Sequence, residues 1–354
     1  MAEAKYFHIQ EGQGLQRMDS LAAALAAKAM GGYVWLDFRD PTRPDLEAIA
    51  EPLGIHPLTV EDCLDEDQIP KIEDFATHTF IIFNEYKYAD KRLTVAEVDL
   101  LVGERFLVTV RGHGSPGHDA PGNGAPGTSI LDHLEAAADR QRKSVEKGPD
   151  FLLHLILDRI VDGKLLPIEA LEADIETAEE GLLKDVSGFQ LEDLVLLRHA
   201  LLALRKSLFH EREILMKICR LDSPFVSEPT IFHFRDIYDH LVRFFELCEM
   251  NRDILTSLME MYLSLVNNRM ADIANRTNAN VRRLTLITTI LMPMSLVSGI
   301  GGMSEWSMMT GSENWRLAYP ALLVALGLLG WVTYRFVKWI ERRDLRLGNP
   351  AGKK

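Results

Sequence analysis

The sequence has few cysteines and a shortage of basic residues. Its 354 residues include only three cysteines, Cys63, Cys219 and Cys248, and no two of them form a C-x-x-C pair. Such scattered thiols argue against a disulfide framework and against a zinc knuckle. The net charge is −13, which argues against a nucleic-acid partner and favours a surface that attracts cations.

Sequence signals for secretion and for catalysis are also missing. The apolar stretch LAAALAAKAM at 21–30 is short, contains Lys28 and follows an acidic residue. It therefore predicts an amphipathic surface helix rather than a signal peptide. We find no G-x-x-x-x-G-K-[ST] loop, no nucleophile–base set and no metal-ligand cluster. The sequence accordingly predicts neither an enzyme nor a tightly bound cofactor.

Two long uncharged runs lie in the last quarter of the chain, at 284–304 and 317–334. Each run is long enough to cross a hydrocarbon core of ~30 Å. We predict a first span at 284–304, an external loop at 305–316, a second span at 317–339 and a basic tail at 340–354. A membrane-anchored signalling protein is the alternative from a different class, but twelve residues between the spans cannot supply a sensor domain.

Basic residues flank the two spans on one side. Arg282 and Arg283 precede the first span, and a basic cluster follows the second span at Arg335, Lys338, Arg342, Arg343 and Arg346. The positive-inside rule then predicts that both chain ends are cytoplasmic and that the loop is outside. The expected location is the lipid bilayer of the cell inner membrane.

The N-terminal part of the chain has a mixed pattern. Residues 33–40, 76–88 and 92–111 are rich in β-branched and aromatic residues and predict strands, with helices at 42–53 and 57–65. We therefore predict a cytoplasmic α/β domain over 1–111. Six glycines and three prolines at 112–128 predict a linker or loop. Apolar residues at three-to-four spacing predict a helical bundle over 129–229.

Glycine and proline are absent between Pro229 and Pro293. A helix over those 63 residues would be roughly 95 Å long at ~1.5 Å per residue. The pattern predicts a stalk helix at 230–283 that continues into the first span and packs against copies of itself. The fold class is thus an α+β membrane protein, with a cytoplasmic α/β domain, a helical stalk and two C-terminal transmembrane helices.

The first span is the better pore candidate. Two helices cannot enclose an aqueous path, so a hairpin that carries solute requires a symmetric assembly. The first span contains small or polar residues that could line such a path or pack against other helices: Thr285, Thr288, Thr289, Ser295, Ser298 and Gly299. Leu284 and Met292 are candidates for a gate that closes by dewetting, with lipid or neighbour contact as the alternative. Pro293 predicts a bend.

The outer end of the first span reads Gly302, Met303, Ser304 and Glu305. Glycines expose backbone carbonyls, and hard cations such as Mg²⁺ prefer oxygen ligands while shedding water reluctantly. A ring of carbonyls, Ser304 hydroxyls and Glu305 carboxylates would suit a largely hydrated divalent ion. These four residues are the predicted entrance.

Several motifs, in order along the chain, resemble the CorA-type divalent-cation transporters. GIHPLTVEDCLDEDQIPKIEDF at 54–75 is similar to the family's H-P-L-x-x-E-D … P-K-x-E-x-F segment. RDIYDH at 235–240, TNANVRRLTLITTILMP at 277–293 and ENWRLAYP at 313–320 resemble its stalk, its pore helix and the start of its second span. The resemblance implies a funnel-shaped homopentamer that transports Mg²⁺, Co²⁺, Zn²⁺ or Ni²⁺ through a pore lined by the long helix.

The resemblance also implies roles for single residues. Asn278 matches a pore-lining position near the cytoplasmic end, and Leu284 and Met292 match the hydrophobic gate. Asp236 and Glu260 fall at or near acidic stalk positions that hold regulatory cations between subunits. Gly302 and Met303 match the first two residues of the family's Gly-Met-Asn signature.

The third residue of that signature differs in this chain. Ser304 stands where the family has an asparagine whose amide selects hydrated Mg²⁺, and Glu305 adds a fixed negative charge. Related subgroups that lack the asparagine include zinc transporters. Zinc transport, with or without proton coupling, is therefore the alternative to Mg²⁺ or Co²⁺ transport.

Overall fold

The computed structural model describes residues 3–65, 68–112, 134–186, 188–301, 311 and 314–347. It divides into two units, Met1–Tyr262 and Leu263–Lys354. The first unit contains a mixed sheet whose strands lie in the order β2-β1-β3-β7-β6-β5-β4. The strands are β1 (Glu3–Gln10), β2 (Gly14–Met18), β3 (Tyr33–Arg39), β4 (Ile72–Asp74), β5 (His78–Ala89), β6 (Arg92–Gly103) and β7 (Phe106–Arg111).

The structure confirms the predicted strands at 33–40 and 76–88. The third predicted strand, at 92–111, is two strands in the structure. Residues 92–111 form two antiparallel strands, because the chain turns at Glu104 and Arg105 between β6 and β7. The single parallel pairing is that of β3 with β7 among the described strands. Strands β1, β2 and β4 were not predicted. Strands β2 and β4 are short and lie at the two edges of the sheet, and the eight-residue β1 includes polar residues such as Glu3, Lys5 and His8.

Helices cover the sheet on both faces. They are α1 (Leu21–Met30), α2 (Arg43–Leu53), α3 (Pro57–Asp62), α4 (Leu134–Arg140), α5 (Arg142–Val145), α6 (Pro149–Asp162), α7 (Leu165–Lys184) and α8 (Leu191–Cys219). Helices α1 to α3 share a core with β3, β5 and β7, and α6, α7 and α8 pack on β5 and β6. All six residues of β7 are buried, as expected for a strand with cover on both sides.

The helices within 129–229 pack on the sheet, and they therefore belong to the same unit as residues 1–111. The first unit also includes the beginning of the predicted stalk, as far as Tyr262. This division differs from the separate α/β domain and helical bundle that we predicted from the sequence. The linker at 112–128 had indicated a boundary, but residues 113–133 lie outside the described part of the chain.

A buried ion pair joins α7, α8 and the sheet. Lys164 Nζ lies 2.9 Å from Glu211 Oε1, and both side chains have no exposed surface. Lys164 also donates to the backbone carbonyl oxygen of Asn84. The backbone N–H of Asn84 donates to Glu211 Oε1 at 3.0 Å. Burial lowers the pKa of Lys164 and raises the pKa of Glu211, and each partner's charge opposes the shift of the other. The charges are tolerated because each has its partner.

The family-like segment at 54–75 has a structural role. Gly54 ends α2 with a φ of 68°, and the His56 ring accepts a hydrogen bond from the Leu58 amide to cap α3. Phe75 stacks on His56 and His78, with ring centroids 5.1 and 4.8 Å away. The segment therefore holds α2 and α3 against the edge of the sheet.

His78 makes the stability of this region depend on pH. Its Nε2 lies 3.0 Å from Thr59 Oγ1, and burial, followed by the charge of His56, lowers its pKa to about 4. The unfolded chain therefore binds more protons between about pH 6.5 and pH 4, so the stability present above pH 6.5 is lost as pH falls through that window. We expect His78→Gln to reduce this loss, measured by urea unfolding at about pH 7 and pH 4.5.

His199→Gln is the matched control for the pH prediction, because His199 is exposed on α8. It should leave the pH dependence unchanged. A His78→Gln protein that loses as much stability on acidification as the parent would contradict the assignment.

The last two helices are α9 (Ile231–Gly301) and α10 (Trp315–Leu347). Both contain a stretch long and apolar enough to cross a membrane, judged by length and composition. The structure thus contains the predicted long helix, which begins one residue after Thr230. Helix α10 extends to Leu347, so part of the predicted basic tail at 340–354 is helical.

Candidate ion pathway

Helix α9 is one continuous helix of 71 residues. Pro293 lies inside it, and the helix continues on both sides of the proline. The absence of glycine and proline upstream explains this length, because every residue there can donate its helical hydrogen bond. Side chains on the second half of α9 can therefore be compared by their angle around one axis.

One face of α9 is half-buried within the second unit. Its members recur at three-to-four spacing: Leu286, Ile290, Pro293, Met294 and Val297. Helix α10 has a similar half-buried series: Ala318, Leu322, Leu326, Leu329, Gly330, Thr333 and Val337. The two helices meet where Met294 Sδ lies 3.0 Å from the position that a Cβ on Gly330 would occupy. Gly330 thus permits the close approach of α10 to this face of α9.

The opposite face of α9 carries most of the predicted pore residues. At ~100° per residue, this exposed stripe consists of Leu284, Thr288, Met292, Ser295 and Gly299. Thr285 and Asn278 are also exposed and lie at the margin of the stripe. Thr289 is about 100° from Thr288, so it points to the side. Of the predicted lining residues, Thr289 therefore fits the stripe least well.

The threonines of the first span already use their hydroxyl protons. Thr285, Thr288 and Thr289 donate to the carbonyl oxygens of Val281, Leu284 and Thr285 at 2.9, 2.9 and 2.8 Å. Such bonds satisfy a hydroxyl within its own helix. The threonine oxygens keep acceptor lone pairs, so Thr288 presents an oxygen suited to a cation or to the water around it.

The predicted gate residues are strongly exposed in the single chain. Leu284 is 65% and Met292 is 72% exposed. They are eight positions apart on the stripe, or about 12 Å along the axis. The predicted entrance, Gly302, Met303, Ser304 and Glu305, lies outside the described residues.

The acidic residues assigned to regulation are far apart. Asp236 and Glu260 are both exposed on α9, and 24 positions on a helix correspond to about 36 Å. They cannot share one ion within a chain. Asp236 instead lies within electrostatic range of His154 and Asp158 on α6. Our sequence analysis did not select these two residues, although their four-residue spacing places both on one helix face.

Comparisons with known proteins agree with this architecture. A family model described as CorA-like Mg²⁺ transporter protein matches residues 30–341. The cobalt/magnesium transport protein CorA of Thermotoga maritima is 28% identical over 317 residues, which cover 86% of this chain and 83% of that protein.

Solved structures share the fold. The complete CorA magnesium transporter of Methanocaldococcus jannaschii has a TM-score of 0.67 at 23% identity, and the match covers 96% of this chain and 97% of that one. The ZntB cytoplasmic domain of Vibrio parahaemolyticus has a TM-score of 0.55 at 12% identity, covering 75% and 98%. The predicted fold class and family are confirmed, and the family is one of transporters rather than enzymes. The chain belongs to the CorA-like Mg²⁺ transporter family.

Proposed function

We propose that this chain transports divalent cations across the cell inner membrane, through a homopentameric pore lined by α9. The observation that carries the proposal is the exposed stripe of α9, which lies opposite the face that meets α10. This stripe of leucine, methionine and small polar residues is exposed among the residues that the structure describes. Five copies around an axis would direct it to a common channel.

The remaining exposed apolar surface of the second unit supports membrane insertion. Large apolar side chains such as Leu296, Leu323 and Trp331 are more than half exposed, which is costly in water and favourable in lipid. The basic flanks favour cytoplasmic chain ends. The first unit would then be the cytoplasmic body.

Gating in this proposal depends on depletion of the transported ion. Leu284 and Met292 narrow the closed pore into an apolar constriction that excludes water. Divalent cations bound at Asp236 and Glu260 between subunits hold the cytoplasmic bodies together. Their loss favours an open population, and the continuous helix α9 carries the change to the constriction.

The proposed entrance combines Gly302, Met303, Ser304 and Glu305. Mg²⁺ and Co²⁺ are the first candidates for the transported ion, since the relative from Thermotoga maritima is named a cobalt/magnesium transport protein. Ser304 in place of asparagine supports the second candidate, Zn²⁺ with or without a coupled proton. The fold shared with ZntB is compatible with either choice.

Ion flux into proteoliposomes tests the function. We expect purified protein to admit Mg²⁺, Co²⁺, Zn²⁺ or Ni²⁺ down a gradient when the vesicle interior lacks divalent ions, measured with and without a pH gradient. Raising the internal concentration should close the pathway. Absence of flux for all four ions under depleted conditions would refute the proposal.

The selectivity of the entrance can be tested at Ser304. Ser304→Asn restores a longer side chain with an amide oxygen, so we expect the ratio of Mg²⁺ to Zn²⁺ uptake to rise about tenfold, which corresponds to ~1.4 kcal/mol. Ser307→Asn places the same amide three residues further along the loop and should not change the ratio. Equal ratios for Ser304→Asn and the parent would exclude Ser304 from ion selection.

A further inference from the structure

The C-terminal half of α10 carries a charged and aromatic surface that the proposed pore does not use. Two basic side chains each follow an aromatic one by four residues, in the pairs Trp331–Arg335 and Tyr334–Lys338. Residues at this spacing are neighbours on the surface of a helix. All four side chains are exposed. They form one surface, which we call the basic–aromatic face of α10.

Each cation of this face lies against its aromatic neighbour. Arg335 Cζ is 5.4 Å from the centroid of the Trp331 ring. Lys338 Nζ is 5.4 Å from the centroid of the Tyr334 ring and 3.3 Å from the Tyr334 hydroxyl oxygen. These are distances of cation–π contacts. Such a contact occupies one side of each cation, so the remaining N–H donors are available to an anion.

The basic–aromatic face is turned away from α9. At ~100° per residue, Arg335 and Lys338 are about 160° and 140° round the helix from Thr333. Thr333 is half-buried, in the series of α10 residues on the side that meets α9. Because α9 lines the proposed pore, the opposite side of α10 faces lipid. The face is thus placed to contact lipid molecules rather than the ion pathway.

The same side of α10 becomes apolar towards the middle of the span. Leu328 and Val324 are seven and eleven residues before Arg335, so they share its side of the helix. They are 59% and 64% exposed. Eleven residues correspond to about 16 Å, which is about half of a hydrocarbon core of ~30 Å. An acyl chain that lies along Leu328 and Val324 therefore has its headgroup at the level of Arg335.

No carboxylate balances the positive charge of this face. Arg335 and Lys338 have no acidic partner in the part of the chain that the structure describes. The sequence contains no aspartate or glutamate over 317–340 or over 273–304, and the exposed Arg283 at the start of the first span adds a further cation. The complementary partner of this surface is therefore an anion at the depth of the lipid headgroups.

We propose that the basic–aromatic face of α10 binds the phosphate of an anionic phospholipid in the cytoplasmic leaflet. Arg335 and Lys338 donate hydrogen bonds to the phosphate oxygens, and Trp331 and Tyr334 lie at the headgroup level. A zwitterionic lipid is disfavoured, because its ammonium group is repelled by the two cations. The inference rests on the proposed membrane insertion and goes beyond transport, since it makes the protein selective for the lipid around it.

Competition between lipids tests the site in the purified full chain, reconstituted in vesicles without an ion gradient. Brominated phosphatidylglycerol quenches tryptophan fluorescence where it contacts the protein, and unbrominated phosphatidylcholine competes with it. We expect the parent to prefer phosphatidylglycerol. In Arg335→Gln/Lys338→Gln the preference should fall about 5- to 30-fold, which corresponds to ~1 kcal/mol for each basic side chain.

Two control variants separate charge at this face from general effects. Arg335→Lys/Lys338→Arg keeps both charges and should keep the preference for phosphatidylglycerol. Arg198→Gln/Lys206→Gln removes the same charge from exposed side chains of α8, and it should behave as the parent does. Loss of the preference in either control would contradict the assignment.

Three further outcomes would overturn the proposal. They are equal affinity of the parent for the two lipids, an unchanged preference in Arg335→Gln/Lys338→Gln, and displacement of the lipid by inorganic phosphate beyond the effect of sodium chloride at equal ionic strength. The last would indicate a site for free phosphate. Should the double variant fail to insert, Lys338→Gln carries the test alone. Because no ion flux is measured, a chain that binds the lipid without transporting ions would refute only the proposed function.

Discussion

Leu284→Ser is expected to increase the resting leak of divalent cations about 10- to 100-fold. Leu284 lies on the exposed stripe of α9, where five copies would close the proposed gate. Burial of a leucine side chain is worth about 1.5–3 kcal/mol, so its loss in favour of a hydroxyl would allow water and ions to enter the constriction. The measurement is Mg²⁺ influx into proteoliposomes whose interior contains enough Mg²⁺ to close the parent channel.

Leu286→Ser is the matched control for the gate. It makes the same chemical change two residues away, on the half-buried face that includes Met294 and meets α10. We expect this variant to weaken helix packing and lower the yield of assembled protein, with no increase in leak per assembled channel. A leak that is equal in the two variants, or absent from both, would contradict the orientation of α9.

Lys164→Met is expected to destabilise the first unit by about 3–5 kcal/mol. The substitution leaves Glu211 fully buried with no cationic partner. For a unit of this size the melting temperature should fall by roughly 6–20 °C. The loss should be larger at higher pH, because an unpartnered buried carboxyl group escapes the cost by binding a proton. Thermal unfolding of the purified full chain gives the measurement.

Two further variants separate the ion pair from general effects of the substitution. Lys164→Met combined with Glu211→Leu removes both charges and should recover most of the lost stability. Lys91→Met breaks a pair with Asp193 in which both side chains are about one-third exposed, and it should cost less than about 1 kcal/mol. A double variant as unstable as Lys164→Met would show that the charge imbalance is not the cause.

The membrane hairpin and α9 could be predicted from the sequence because local composition determines them. An apolar run of about 20 residues has few alternatives to a membrane span, and 63 residues without glycine or proline favour one helix. The lengths of the membrane spans and of α9 can be estimated from the sequence without knowledge of any tertiary contact. The face of α9 that meets α10 was not predictable, since it depends on the Gly330 contact.

Features that depend on distant contacts were missed. Strand β2 is a five-residue edge strand with two exposed polar residues, so its sequence has little strand pattern. Helices α6 to α8 were assigned to a separate bundle, because periodicity shows an apolar face but not the sheet it covers. His154 on α6 and His233 on α9 are 79 residues apart in sequence, so their ring contact could not be predicted from either helix alone.

The hydrogen bonds of Asp150 affect how the beginning of α9 moves. This carboxylate on α6 accepts hydrogen bonds from the Ser227 amide at 3.0 Å and from Thr230 Oγ1 at 2.9 Å, and Phe234 nearby is fully buried. Helix ends ordinarily fray, and their amide protons exchange quickly with solvent. Here Asp150 ties the residues just before α9 to α6, so we expect the first turn of α9 to exchange more slowly than a free helix end. Any displacement of α6 would therefore reach α9 without first unwinding its end.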